Sequence, residues 1–566
     1  MPWAPLRQDL EEKNSTINNM KKVCEHCKKE FTITDVELSL GEKIGVEIST
    51  VCSDCLLKQH LSFWLFGKFR KTKSDLSGES IITVLPESRY PLYSSHEWFS
   101  DSWEGLDFGF DYNSSELFFT QLQKLQEKVP HPHQNGINNT NCEYCDDVWN
   151  SKNCYLSRSM EFCEDLLYSY RNLKVKNSID VVICFNSERL FSCLNCINCY
   201  RLSYSRNSKD CLDSQFLFDC RNCQDCFMCW NLRGKSFCIK NIQYTREEYK
   251  EKLKEFNLGS YTQIESLKEH FENILKNEAV HKLNFNIKAY NSTGDNLLNV
   301  NNCQNCNTIS DSEDAVNAIR GMKHSSTLNA NGCWYIELSG NCSGCLNAYN
   351  LKYSAWSSSR FSEYLDLCVE CEYCFGCVGL KKKQYCILNK QYTKEKYEVL
   401  KNQIISNMKK NNEYGRFLPY SMSAGPFNLS TSYLYFPNTN KEDILKLGGY
   451  WQDVDESHIE GMLTSELPDS ISEIDDGICT QALICPESGW RFNISPDELI
   501  WRQQNNIPLP RKHFDVRIKD LIKYSFVLKT SPYKCFYCKE EIQAYYPKEW
   551  GYKNIACEKC YQQNLN

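Results

Sequence analysis

The sequence predicts a mainly β chain with some α-helix, in which zinc-ribbon modules at the two ends flank two duplicated, cysteine-patterned arrays of β-solenoid type, each closed by a helix. Three observations predict this class. Paired Cys-x2-Cys motifs lie near both ends, cysteines between them recur at a nine-residue spacing, and whole segments repeat at fixed offsets. The chain carries 34 cysteines among 566 residues, a density that requires either disulfides, metal ions or a cysteine-filled core.

Composition limits the environment in which these cysteines work. No apolar run approaches the ~18 residues of a membrane span, and the mean hydropathy is −0.54, so we expect no membrane partner. Residues 1–20 lack the apolar segment of a secretion signal, so we expect a cytoplasmic protein, or a virion protein if the source is viral. Thiols stay reduced in such a compartment and therefore bind metal or become buried instead of forming disulfides.

Two pairs of Cys-x2-Cys motifs carry the zinc prediction. The two motifs are 24 residues apart near the N-terminus and 18 residues apart near the C-terminus. Each motif places two thiolates on one tight turn, and two such turns complete a tetrahedral site with no position left for water, so the site is structural. We predict about two zinc ions, with eight ligands: Cys24, Cys27, Cys52, Cys55, Cys535, Cys538, Cys557 and Cys560.

The two ends of the chain also resemble each other at an offset of 461 residues, which places Cys24 on Cys485, Cys52 on His513 and Ser74 on Cys535. We infer two copies of a double zinc ribbon, each of which keeps one complete ribbon. The other ribbon of each copy has lost ligands, and hydroxyl or alkyl groups replace thiolates, which are the better zinc ligands. The substituted positions are Ser74, Ser77, Ser94 and Glu97 in the first copy, and Ser488 and Val516 in the last.

The central cysteines follow a nine-residue spacing, for example from Cys211 through Cys220 and Cys229 to Cys238. The end of this array repeats at an offset of 148, which places Cys220 on Cys368. A nine-residue period fits no amphipathic helix, whereas short strands separated by Asn, Ser and Asp are typical of a solenoid. We expect about eighteen residues per turn, if two nine-residue steps make one turn.

Two interpretations of the central cysteines remain open. Reduced cysteine is a small side chain that fills a narrow core, and this is the interpretation that we favour. Alternatively, neighbouring thiolates capture metal ions. The candidates for additional metal sites are Cys142 with Cys145, Cys303 with Cys306, and Cys479 with Cys485 and His513.

Helices are predicted between the cysteine-rich segments. Thr245 and Glu248 form a capping box that opens a helix after the first array, and Thr393 occupies the equivalent position after the second. Amphipathic helices are predicted over 116–128 and 260–279. The predicted organisation is a disordered stretch at 1–20, a double ribbon at 21–104, a helical linker at 105–136, the first array with its capping helix at 137–258, a helical linker at 259–302, the second array with its capping helix at 303–410, an irregular linker at 411–478 and a double ribbon at 479–566.

Several motifs give the chain a resemblance to a known family. They are Trp-Phe-Ser-Asp-Ser-Trp at 98–103, Ser-Lys-Asn-Cys-Tyr-Leu-Ser at 151–157, the two Gln-Tyr-Thr-x-Glu segments, Tyr-Phe-Pro at 435–437 and Ile-Pro-Leu-Pro-Arg-Lys-His at 507–513. With the ribbons, they resemble an uncharacterised family of cysteine-rich zinc-ribbon proteins of candidate-phyla bacteria, metagenomes and large DNA viruses. The resemblance implies the architecture, with four cysteines in every ribbon, and implies no activity.

No catalytic motif is present, whether a phosphate-binding loop, a dinucleotide fingerprint, His-Glu-x-x-His or Gly-x-Ser-x-Gly. We therefore expect a non-enzymatic, zinc-binding structural or interaction scaffold with an unidentified protein partner. One alternative is nucleic-acid binding through basic segments at 68–73 and 511–519, which the net charge of −7 disfavours. The other is a cysteine-rich metal-thiolate or redox buffer.

Overall fold

The computed structural model describes residues 20–87, 89–323, 325–334, 337–344, 349–453, 460–525 and 527–565. The stretch predicted to be disordered, 1–20, lies outside these residues except for Met20. Within them the protein is a mixed α/β structure with two large, mostly parallel sheets. None of the described helices combines the length and the apolar character that crossing a membrane requires.

The N-terminal segment consists of short hairpins, each followed by a helix. Thr34 caps the first helix with a complete capping box, and Gly45 ends it in the left-handed conformation at φ 72°. The elements are β1 (Met20–Val23), β2 (Glu30–Ile33), α1 (Asp35–Ile44), α2 (Ser53–Leu61), β3 (Arg70–Lys73), β4 (Ser80–Thr83), β5 (Leu92–Tyr93), α3 (Ser95–Phe99), α4 (Phe118–Lys128) and β6 (His131–Pro132).

The first large sheet is parallel except for its last hairpin. Its strands are β7 (Asp146–Trp149), β8 (Arg158–Glu161), β9 (Glu164–Leu167), β10 (Leu173–Ile179), β11 (Phe185–Glu188), β12 (Tyr200–Ser203), β13 (Leu212–Phe218), β14 (Gln224–Trp230), β15 (Ser236–Ile239) and β16 (Ile242–Gln243). Successive partners are twelve residues apart, as Leu212 pairs with Gln224 and Gln224 pairs with Ser236.

The backbone explains why the period is twelve and corrects the expected eighteen. From Asn138 to Lys240 every third residue has a positive φ, and one of these residues, Gly234, is a glycine. Asn and Asp, which tolerate the left-handed conformation best after glycine, occupy many of these positions. The chain therefore bends every three residues, and four such steps bring it back beside itself after twelve.

The nine-residue cysteine spacing follows from the same geometry. Cysteines of the first sheet directly follow left-handed residues and point into the core, where the Cys211 Sγ donates to the Cys220 carbonyl oxygen, nine residues on, at 3.4 Å. The Cys193 Sγ donates to the Leu202 carbonyl oxygen in the same way at 3.5 Å. Nine residues are therefore three steps of three, not half a turn.

Between the sheets lie α5 (Arg246–Leu253), α6 (Tyr261–Asn277) and β17 (His281–Lys282). The predicted capping box of Thr245 and Glu248 is present at the start of α5. The second sheet comprises β18 (Ile287–Tyr290), β19 (Gly294–Asn301), β20 (Cys306–Val316), β21 (Ile319–Met322), β22 (Ser325–Leu328), β23 (Asn331–Trp334), β24 (Glu337–Gly340), β25 (Tyr349–Lys352), β26 (Ser358–Glu363) and β27 (Val369–Glu372). It thus begins at Ile287, inside the segment that the sequence suggested was a helical linker.

After the second sheet the described chain continues with short elements that pack on the rest of the protein. Within the predicted irregular linker, Tyr420, Phe427 and Ile444 form a buried cluster. The elements are β28 (Cys386–Ile387), β29 (Lys390–Gln391), α7 (Lys394–Lys410), α8 (Thr431–Tyr435), α9 (Lys441–Lys446), β30 (Met462–Leu463), β31 (Leu483–Ile484), β32 (Arg491–Phe492), α10 (Pro496–Gln504), α11 (Phe514–Ile522), β33 (Ser531–Lys534), β34 (Glu541–Ala544), β35 (Ile555–Ala556) and α12 (Glu558–Leu565).

The beginning of each sheet is held by a segment from one end of the chain. Just before the first sheet, β6 pairs with β5 in parallel, and just before the second sheet, β17 pairs with β35. The two junctions share an aromatic contact as well, because His131 stacks on Tyr90 and His281 stacks on Tyr552, both with ring centroids 3.9 Å apart. The two ends of the chain therefore occupy equivalent places on the two sheets.

Buried serines extend the backbone pairing of the sheets and provide a test of it. Ser205 is fully buried, and its Oγ accepts a hydrogen bond from the Leu217 amide, twelve residues on, at 3.0 Å. Ser205→Ala leaves that buried amide without its acceptor, so we expect the free energy of unfolding to fall by about 1–3 kcal/mol. Chemical denaturation measures the change. Ser115→Ala, at an exposed turn, is the control, and an equal effect of the two substitutions would contradict the assignment.

Candidate metal centres

The first candidate metal centre is formed by Cys24, Cys27, Cys52 and Cys55, whose four Sγ atoms all lie within 4.8 Å of one another. The turn of the hairpin β1–β2 supplies the first pair of ligands, Cys24 and Cys27. In this turn the Cys24 amide donates a hydrogen bond to the Lys29 carbonyl oxygen at 2.9 Å. The Cys27 and Cys52 sulfurs are 3.8 Å apart. A tetrahedron with zinc–sulfur bonds of about 2.3 Å has sulfur–sulfur edges of about 3.8 Å, so the observed separation fits zinc.

The second pair of the first centre lies at the N-terminus of α2. Cys52 is the N-cap residue of this helix, so Cys55 lies three residues into it, where the helix dipole favours negative charge. The Cys55 thiol donates a hydrogen bond that lowers the pKa of Cys52 to about 5, while the same interaction raises the pKa of Cys55. One cysteine of the pair is therefore prepared as a thiolate, the form that binds metal.

The second candidate centre, at Cys535, Cys538, Cys557 and Cys560, repeats this geometry. Its four Sγ atoms lie within 4.8 Å of one another, and the Cys538 and Cys557 sulfurs are 3.9 Å apart. Burial raises the pKa of Cys535, but the amides of Cys557, Cys538 and Tyr537 donate to its sulfur and lower the pKa to about 6. Each of the two centres could hold a metal ion such as zinc.

The second ribbon of the N-terminal module, with Ser74, Ser77, Ser94 and Glu97 at the ligand positions, keeps the same turn and helix cap without cysteine. The Ser74 amide donates to the Glu79 carbonyl oxygen at 2.8 Å, which repeats the turn of the first ribbon, and Ser94 is the N-cap of α3. Glu97, in the position of Cys55, accepts hydrogen bonds from the Ser74 Oγ at 2.5 Å and the Ser94 amide at 2.8 Å. Burial raises the pKa of Glu97, but hydrogen bonds from Ser74, Ser77 and Ser94 lower it to about 2. A hydrogen-bonded carboxylate therefore stands where the first ribbon has its candidate metal centre.

The third of the four ribbons, which is the first of the C-terminal module, has Cys485, Ser488, His513 and Val516 at the ligand positions and is held together by contacts between aromatic rings. In its turn the Cys485 amide donates a hydrogen bond to the Trp490 carbonyl oxygen at 2.9 Å, and His513 is the N-cap of α11. The His513 Nδ1 accepts from the Asp515 amide at 3.1 Å, and its ring lies 5.3 Å from that of Trp490. Val516 fills the remaining position and is buried.

The other predicted metal candidates do not come together in the described residues. There, only the two complete cysteine sets bring three or more ligand atoms within 4.8 Å of one another. The Cys142 Sγ instead donates to backbone carbonyl oxygens, and so do those of Cys145, Cys303 and Cys306. Cys479 with Cys485 and His513 likewise forms no such set.

All four ribbons follow one plan, which the sequence revealed only through the 461-residue offset. In each, a hairpin turn supplies the first pair of positions, and the residue before a later helix and the third residue of that helix supply the second pair; these helices are α2, α3, α11 and α12. Of the two cysteine-bearing ribbons, the first contacts the second sheet through α1. The last pairs with β17, just before the second sheet, and also reaches the first array, where the Arg233 Nη2 donates to the Tyr561 hydroxyl at 2.9 Å. The ribbon with Glu97 pairs with β6, just before the first sheet, and also contacts the second array, where the Lys381 Nζ donates to the Trp98 carbonyl oxygen at 2.9 Å. The ribbon with Cys485 contacts the first sheet through the ion pair of Arg517 with Asp180. Sequence analysis missed these placements because they depend on tertiary contacts.

Comparison with known proteins adds little. No protein-family model matches the sequence, and no curated protein is significantly similar to it. Among solved structures, the chain is similar to a "putative acetyltransferase from Desulfovibrio desulfuricans G20", with 10% sequence identity, a TM-score of 0.10, and coverage of 44% of this chain and 68% of that chain. A TM-score this low carries no argument about fold or activity.

The two kinds of ribbon make opposite predictions for equivalent substitutions. Cys55→Ser removes one of four thiolates, so we expect the metal content of purified protein to fall from about two ions per chain to about one. Glu97→Gln changes the equivalent position of the second ribbon, so the metal content should stay the same. Elemental analysis measures both variants, and loss of metal from Glu97→Gln would contradict the assignment.

Glu97→Gln should also lower stability in a pH-dependent way. The folded-state pKa of Glu97 lies below its ordinary value of 4.5, so its stabilising effect is present above that pH and is lost as the pH falls towards 2. The difference between wild type and variant in denaturation midpoint should therefore be larger at pH 7 than at pH 3.

Proposed function

We propose that the protein is a non-enzymatic scaffold stabilised by two structural zinc ions, and that each large sheet forms the walls of a β-solenoid with twelve residues per turn. The observation that carries this proposal is the pairing of a closed four-cysteine ribbon with the strand that directly precedes a large sheet. The complete C-terminal ribbon supplies β35, which pairs with β17 just before the second sheet begins at β18. Zinc in this ribbon would then stabilise the end of a repeat structure, where unpaired backbone groups are otherwise exposed.

The regular register supports the solenoid. Parallel pairing advances by twelve residues through most of both sheets, as Glu313 pairs with Ser325 and Ser325 pairs with Glu337 in the second. Left-handed residues recur every three positions there too, for example at Asn302, Asn305 and Thr308. A chain with these properties winds into stacked, nearly identical turns, and stacked turns offer a long, rigid face.

A structural role for the metal follows from the ligand set. Catalytic zinc keeps a position for water or substrate, whereas four protein thiolates occupy the whole tetrahedron. Two of the four equivalent ribbons carry no complete ligand set and yet keep their turn and helix cap. A carboxylate or packed rings can thus stand in a ribbon where another ribbon has its ligands. A catalytic centre would not tolerate such a replacement. A protein partner on the exposed outer faces is the binding mode we expect of such a scaffold.

Nucleic-acid binding is the second candidate, because the two basic segments of the sequence meet in space. The Lys68 Nζ lies 4.8 Å from the ring of Trp490, and the Lys519 Nζ lies 5.4 Å from it. An aromatic ring among lysines suits a stacked base. However, neighbouring cations are already neutralised, since Lys512 pairs with Glu487 at 2.7 Å and Arg517 pairs with Asp180 at 2.7 Å. The scaffold is therefore the function that the geometry supports better.

A metal-thiolate or redox buffer has the least support. The thiols of the sheets donate hydrogen bonds to carbonyl oxygens of the chain nine residues on, as Cys220 does to the Cys229 carbonyl oxygen at 3.6 Å. Cys220 is fully buried in this role, whereas a metal store or redox buffer requires accessible thiolates.

Cobalt substitution tests the structural role of the metal. Protein loaded with Co²⁺ should show the absorption of tetrahedral thiolate coordination, and excess azide or imidazole should leave this spectrum unchanged because no coordination position is open. Cys27→Ser, which replaces an exposed ligand, is the matched control and should make one site responsive. A wild-type spectrum that shifts on adding azide or imidazole would indicate an open metal site and contradict the proposal.

A further inference from the structure

The duplicated ends create two equivalent interfaces, in which a helix of a ribbon packs on a sheet. Helix α2 lies on the second sheet and α11 on the first, and their positions are related by the offset of 461. Sheet positions are related by an offset of 149 up to the eleven-residue step from Tyr349 to Arg360, and by 148 after it. Matching contacts support this register. The Asn317 Nδ2 donates to the Glu37 Oε1 at 3.2 Å, and in the other copy Glu498 lies beside Tyr168, where its charge, together with burial, raises the pKa of that tyrosine.

In the copy on the first sheet the interface is filled. The rings of Tyr168 and Phe514 are stacked with centroids 5.4 Å apart, and the Arg517 guanidinium lies 4.8 Å from the Tyr168 ring. Arg517 also pairs with Asp180 at 2.7 Å. Large side chains and an ion pair thus occupy the space between helix and sheet.

In the copy on the second sheet, three of the four equivalent positions carry smaller residues: Ser53 replaces Phe514, Leu56 replaces Arg517 and Asn317 replaces Tyr168. At the fourth position Asn329 replaces Asp180, which has the same shape but carries a charge. A cavity of about 220 Å³ lies there, and all four of these residues line it. The interface between ribbon helix and sheet is therefore filled by side chains on the first sheet and contains a cavity on the second.

The lining of this cavity is polar on one side, and its two charged residues, Asp54 and Lys529, offset each other. Asn305, Asn317 and Asn329 follow each other at intervals of twelve residues, all in the left-handed conformation, and present three amides in a row. At another part of the lining, Lys529 forms an ion pair with Asp54, so neither charge requires a charged ligand.

A buried histidine adds an unpaired polar group. His60 is 1% exposed and lines the cavity, and its Nε2 has no hydrogen-bond partner among the described residues. Burial lowers the pKa of His60 to about 3, so the ring is neutral.

We propose that this cavity binds an uncharged polyhydroxy compound of about the size of a monosaccharide. The side-chain amides of Asn305, Asn317 and Asn329 can donate to and accept from hydroxyl groups. The paired charges disfavour an ionic ligand, and the described lining contains no aromatic ring on which a nucleobase would stack. Leu56 and Leu57 give an apolar wall for the C–H face of such a compound. The volume is below the range of about 300–1,000 Å³ that is typical of sites for drug-sized ligands.

Saturation-transfer NMR on the full-length, zinc-loaded protein tests this proposal. The probes are glucose, galactose, mannose and myo-inositol, with glucose 6-phosphate and adenosine as charged and aromatic comparisons. We expect a saturable signal from at least one of the four neutral probes and weaker signals from the two comparisons. Absence of binding by all four neutral probes, or stronger binding of either comparison compound, would overturn the proposal.

The other half of the molecule supplies the variant that closes the site. Asn317→Tyr introduces the residue found at the filled position, where Tyr168 already adopts a φ of 51°, so the backbone accepts it. We expect at least a tenfold loss of affinity, with unchanged metal content. Asn299→Tyr, at an exposed position with a φ of 54°, is the matched control and should bind normally.

A second variant covers the outcome that Asn317→Tyr fails to fold. Asn329→Asp keeps the shape of the side chain and introduces the carboxylate of the filled copy, so it should weaken binding of the neutral probe by removing an amide donor. Binding that is unchanged in Asn329→Asp, or equally reduced in Asn299→Tyr, would contradict a site at this cavity.

Discussion

The rest of the structure depends on one backbone constraint, a left-handed residue at every third position. This bends the chain so tightly that it returns beside itself after twelve residues, and it leaves one inward position in each three. The core along the first sheet consists of cysteine, valine, leucine and methionine side chains. Cysteine suits it because its thiol fills space and donates to a carbonyl oxygen, and serine suits it because its hydroxyl accepts an amide of the adjacent strand.

A sheet built in this way has exposed edges at its two ends, and the ribbons solve that problem at the beginning of each sheet. The ribbon that pairs with the strand just before the first sheet contains Glu97 in a hydrogen-bonded cluster, and the ribbon that pairs with the strand just before the second contains four cysteines. A fixed carboxylate and a set of four cysteines that could hold a metal ion thus occupy equivalent positions in one fold.

The sequence predicted the parts of the molecule that depend on local chemistry. The eight terminal cysteines come together in two sets, and Thr245 caps its helix, because in each case the signal lies within a short segment. The twelve-residue period was not predicted, because cysteines occupy only some inward positions, while Ser205, Leu217 and others occupy the rest, and the nine-residue subset hides the three-residue step. The cavity beside His60 was also inaccessible to sequence analysis, since it is formed by segments hundreds of residues apart.

Hydrogen exchange before and after zinc removal tests the central claim most directly, because the two sheets act as internal controls for each other. The His281 amide donates to the Asn554 carbonyl oxygen at 2.7 Å in the cysteine-bearing ribbon, while the His131 amide donates to the Pro91 carbonyl oxygen at 2.8 Å in the ribbon without cysteine. A strong zinc chelator should therefore accelerate amide exchange at 281–301 and leave exchange at 131–149 unchanged. Equal acceleration at both segments, or at neither, would contradict the proposal that metal in the cysteine-bearing ribbon stabilises the start of the second sheet.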